Sequence, residues 1–96
     1  MALIARIATD AATQVAQKFA QNLAHGLGGY CGLTASAACN ITVRGGPRGG
    51  ERLFGLATVA LQAGKLSDGF EVPRGIEYLE IEIDAAIASF TAWFLT

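Results

Sequence analysis

The chain has 96 residues, 52% of them hydrophobic and 16% charged, with a net charge of −1. That length predicts one domain over residues 1–96 with a thin core, and a near-neutral balance with a pI of 5.7 argues against a general polyanion binder, which is usually strongly basic. The charge-free runs after Arg52 and Asp84 are 12 residues each, short of the ~20 a membrane-crossing helix needs, so no membrane span is expected.

The opening MALIARIATD lacks the long apolar run and cleavage site of a secretory leader, which predicts a cytoplasmic product or one incorporated in a particle. Ala2–Ala8 is short and rich in Leu3, Ile4 and Ile7, and reads as a strand. From Asp10 to His25, DAATQVAQKFAQNLAH puts Ala11, Val15, Phe19 and Leu23 on one stripe and Gln14, Gln17, Lys18, Gln21 and Asn22 largely on the other. This is the pattern of an amphipathic helix. Thr9 or Asp10 can cap its start and Gly26 can end it in a left-handed conformation.

GLGGYCG follows that helix rather than a strand and lacks the G-x-G-x-x-G spacing, so it is no dinucleotide loop. His25, the sole histidine, falls in the last helical turn, where a cation meets the negative end of the dipole. A structural role is therefore preferred over catalysis with Cys31 or a serine.

Every odd position from Cys31 to Val43 is apolar, while the even ones are mostly Gly, Thr, Ser or Asn. That alternation predicts a long strand, which would hold Cys31 and Cys39 ~26 Å apart. A disulfide needs Cα atoms within roughly 7 Å, so two buried thiols are expected. Arg44–Arg52, RGGPRGGER, is a glycine-rich loop without the Lys-Ser/Thr pair of a phosphate loop.

Leu53–Gly64 fits both a helical and a strand face; Gly55 and the simplest antiparallel return of the chain favour the strand. A second loop, Leu66–Gly75, carries an Asp-Gly turn and Pro73. In IEYLEIEID, Glu80, Glu82 and Asp84 share one face and Leu79, Ile81 and Ile83 the other, a half-buried strand. Ala85–Thr96 is open between a strand apolar on both faces, which needs cover from outside, and a helix capped by Asp84.

These elements together predict an α+β fold, a mainly antiparallel sheet of 3–4 strands with the one N-terminal helix packed on one face. No cofactor, metal or catalytic residue is indicated. Three carboxylates spaced ~6.6 Å apart along a strand do not easily converge on one cation.

The expected function is a non-enzymatic, self-assembling structural subunit of a shell, tube or virus-like particle such as a capsid. Its subunit interface would combine the basic Arg44, Arg48 and Arg52 with the acidic Glu80, Glu82 and Asp84 of a neighbour. Phe90, Trp93 and Phe94 would serve as aromatic anchors. Nucleic acid binding through the Arg44–Arg52 loop ranks lower, because no aromatic residue interleaves with its arginines. The alternative reading is a small homo-oligomeric binding protein that holds an apolar ligand between sheets, with Phe90, Trp93 and Phe94 as walls.

Overall fold

Apolar residues recur at every second position through most of this chain, and folding spends that alternation on two facing sheets. The structure, a computed structural model, describes residues 3–9, 17–23, 26, 28–67 and 69–95. Its strands are β1 (Leu3–Thr9), β2 (Gln17–Asn22), β3 (Gly29–Ala35), β4 (Cys39–Gly46), β5 (Phe54–Leu61), β6 (Phe70–Val72), β7 (Tyr78–Ile83) and β8 (Phe90–Leu95).

A front sheet runs β1-β8-β3-β6 and a back sheet β2-β7-β4-β5, with every neighbouring pair antiparallel. Apart from the β4–β5 hairpin, each connection crosses from one sheet to the other. Eight strands wound this way form a jelly-roll sandwich.

The inward residues of both sheets make one core. Cys31, Leu33, Phe90, Ala92 and Phe94 of the front sheet and Ile41, Val43, Leu79, Ile81 and Ile83 of the back sheet are all buried. Phe19 of β2 stacks on Phe90 with ring centroids 5.7 Å apart, which ties the back sheet to the front.

This architecture overturns the α+β expectation. Gln17–Asn22, placed in the predicted helix, is a strand paired with β7 from Gln17↔Ile83 to Asn22↔Tyr78. The rest of that helix, residues 10–16 and 24–25 including His25, lies outside the described residues. Helix-forming Gln, Lys and Ala are a weak preference, and ladder pairing with Phe19 and Leu23 turned to the core outweighs it.

The predicted long strand is also two strands. The chain leaves the front sheet after Ala35 and enters the back sheet at Cys39, so the odd residues on both sides of the crossover face one core. Cys31 and Cys39 are free and buried in opposite sheets, and strand separation is not what keeps them apart. Leu53–Gly64 does supply a strand antiparallel to β4, and Ala85–Thr96 supplies β8, between β1 and β3.

Candidate functional site

Among the described residues, the large side chains left in solvent and the sheet edges decide what the surface can do. On the outer face of the back sheet, the cross-strand pairs Arg44↔Glu80 and Thr42↔Glu82 set the acidic stripe of β7 beside the basic residue of β4. Arg44 donates to Glu80 at 3.1 Å and to Glu82 at 3.3 Å, and Lys18 of β2 lies 4.0 Å from both carboxylates. Asp84 instead accepts from the Asn40 backbone N–H at 2.7 Å and from its side-chain amide at 3.1 Å, clamping the end of β7 onto β4.

The acidic face is thus occupied by the chain's own cations. Arg48 reaches Glu77 at 3.5 Å, while Arg52 is exposed.

The loop joining β4 to β5 is folded down rather than loose. Gly46 is buried, and a Cβ there would overlap the Arg52 carbonyl oxygen. Gly50 has φ +69°, and a Cβ on it would come 2.8 Å from the Tyr78 ring. Only glycine meets both conditions.

Of the expected aromatic anchors, Phe90 and Phe94 are 1% exposed in the core. Trp93 points the other way, as alternation along β8 requires. These three side chains therefore cannot wall a single ligand site between the sheets. On the outer face of the front sheet, Trp93 and Leu95 together with Gly32 and Leu66 line an apolar hollow of about 250 Å³. Gly32 sits across from Trp93 in the β3–β8 ladder, and its missing side chain opens the floor. Leu66 is 67% exposed, and Tyr30, 45% exposed, faces the lining residue Leu95 across the same ladder.

Each sheet has two edges, and three of the four are guarded. β1 carries Arg6 and β2 carries Lys18, both exposed, and charges of this kind discourage strand addition. β6 is only three residues long, and the segment before it is laid along β3: the Gly64 N–H donates to Ala35 O at 2.9 Å and the Ser67 N–H to Leu33 O at 2.8 Å.

The fourth edge is different. β5, FGLATVAL, has eight residues with no charge and no proline and, among the described residues, pairs with β4 alone. Among the described residues its one guard is an irregularity in register at Val43/Arg44, and Phe54 at its start is 60% exposed. The sequence pattern alone does not mark Phe54, Leu66 or Tyr30 as surface-site residues; the charge-free run after Arg52 is the signal for the first.

The thiols are closed to chemistry in the folded chain. Cys31 is fully buried, and burial pushes its pKa up to about 12; Cys39 is raised by burial and, secondarily, by the negative charge of Asp84. Iodoacetamide is therefore expected to leave Cys31 unmodified at pH 8 until denaturant is added, as read by mass spectrometry.

The linkage has a definite sign. The folded chain holds a proton that the unfolded thiol releases above pH 9, so the Cys31 contribution is intact below pH 9. It is lost as pH rises toward 12, by on the order of 4 kcal/mol. Cys31→Ala is expected to flatten this part of the alkaline denaturation profile.

No protein-family model matches this chain and no curated protein matches it. One solved chain that it resembles belongs to a structure described as "Bacillus endospore appendages form a novel family of disulfide-linked pili". The TM-score is 0.54 at 19% identity, over 95% of this chain and 85% of that one. At that identity the likeness is one of fold. Among the described residues, no helix is long and apolar enough to cross a membrane.

Proposed function

We propose that this chain is a non-enzymatic structural subunit that assembles with copies of itself, of the filament-building kind. The observation that carries the reading is β5: a long, uncharged, proline-free edge strand in a sandwich whose other edges bear a charge or a covering segment. Such an edge is a template for another strand, and natural chains that stay monomeric guard it.

The fold shared with a pilus chain supports the same reading. Its disulfide linkage does not transfer to these cysteines, because both are buried in the core. The assembly proposed here is non-covalent and insensitive to reductant.

Sedimentation tests it. Wild-type protein is expected to form particles many times the mass of one chain, with or without dithiothreitol. The double variant Thr58→Lys/Ala60→Lys, which puts two charges on exposed positions of β5, is expected to stay monomeric with an unchanged far-ultraviolet spectrum. A wild type that remains monomeric at every accessible concentration sinks the proposal.

A further inference from the structure

Among the described residues, the hollow on the front sheet is apolar, open and unfilled by any side chain, and the molecule carries a matching knob elsewhere. We propose that it receives Phe54 of a second copy, an inference that rests on the assembly reading above. Three large apolar residues are exposed among the described residues: Tyr30, Leu66 and Phe54. Leu66 lines the hollow and Tyr30 faces its lining residue Leu95, whereas Phe54 stands alone at the start of β5 in the other sheet.

Knob and hollow on different surfaces of one chain cannot satisfy each other by a two-fold contact using a single patch. They join copies head to tail, and an unclosed head-to-tail contact repeats as a fibre. A phenyl ring suits the chemistry of the site, since the lining residues Gly32, Leu66, Trp93 and Leu95 offer apolar surface and one indole for an aromatic contact.

The flanking charges agree with this. Arg6 faces Trp93 across the β1–β8 ladder and Glu71 faces Tyr30 across β3–β6, with exposed Lys65 beside Leu66. The knob is preceded by exposed Glu51 and Arg52, so each approaching charge has an opposite one on the rim. Phe54 also opens the unguarded edge β5, so the knob belongs to the side of the molecule already argued to dock.

Two single variants map the contact, Phe54→Cys and Leu66→Cys, with buried Cys31 and Cys39 as silent background under mild oxidation. The expected result is a cross-linked dimer in a mixture of the two and not in either alone. Cross-linking within Phe54→Cys alone would show β5 edges meeting each other, and within Leu66→Cys alone would show two hollows face to face. Either overturns the inference and leaves the assembly reading standing, as does a wild-type particle whose variants never cross-link.

A wild type that never assembles overturns both. Gly32→Val gives a check that keeps the fold. A Cβ at Gly32 meets Leu66 at 3.6 Å, an ordinary contact, and the branched side chain fills the floor. It is expected to raise the concentration of half-assembly more than about tenfold; the Trp93 emission, which in the wild type is expected to move to the red on dilution as the hollow empties, is expected to shift at correspondingly higher concentration, and no change in either overturns the proposal.

Discussion

Phe90→Ala is expected to destabilise the folded chain by about 3 to 5 kcal/mol, read as a lowered urea midpoint in the Thr58→Lys/Ala60→Lys background where assembly does not interfere. Phe90 is 1% exposed, and its ring rests on Phe19 of the opposite sheet at 5.7 Å. Truncation therefore removes both a buried aromatic surface and the contact that joins the sheets near β2. Trp93→Ala, three residues further on, is expected to lose far less, because that side chain lies on the outer face. Equal losses at the two positions would refute the opposed directions of the β8 side chains.

Gly46→Ala is expected to cost at least about 3 kcal/mol, the upper end of what overpacking does. The added methyl would meet the Arg52 carbonyl, which belongs to backbone and cannot swing aside as a side-chain end can. Moving it would lift the loop and strain the hydrogen bond in which the Glu77 N–H donates to Gly46 O at 3.0 Å. Gly55→Ala is the control, because its Cβ meets nothing within 4 Å and its φ lies outside the left-handed range. It is expected to change stability by less than ~1 kcal/mol. A thermal melt of the three proteins decides the matter, and similar melting of both variants would contradict the packed loop.

Much of the sheet structure was legible where one face was apolar and the other charged, as in Leu79, Ile81 and Ile83 against Glu80 and Glu82. β2 was hidden because only Phe19 within it and Leu23 just after it are apolar and core-directed, while Gln17 and Gln21 share that side. Residues four apart on one stripe then look helical. The break between β3 and β4 was hidden for the opposite reason. Ala37 continues the alternation through the crossover, so nothing in the period records that the chain has changed sheets.

Of the surface features, the acidic stripe was visible but its cation was not. Arg44 meets Glu80 only through the β4–β7 register, which joins residues 36 apart in the chain. The hollow needs the same kind of knowledge, namely that Gly32 lies opposite Trp93.

The position of β8 between β1 and β3 has a consequence in time. The middle of the front sheet is the last of the eight strands to leave the ribosome, so β1 and β3 wait for it, unjoined, while the rest of the chain is made. Pairings this distant in sequence close slowly, in milliseconds to seconds for all-β domains, while synthesis proceeds at ~5 to 20 residues per second. Trp93 and Leu95 arrive with that strand, and the hollow they line does not exist until it has paired. A subunit built this way presents its receiving surface only once β8 has paired between β1 and β3, so growth by head-to-tail addition would draw on chains whose front sheet has closed and ignore those in which it has not.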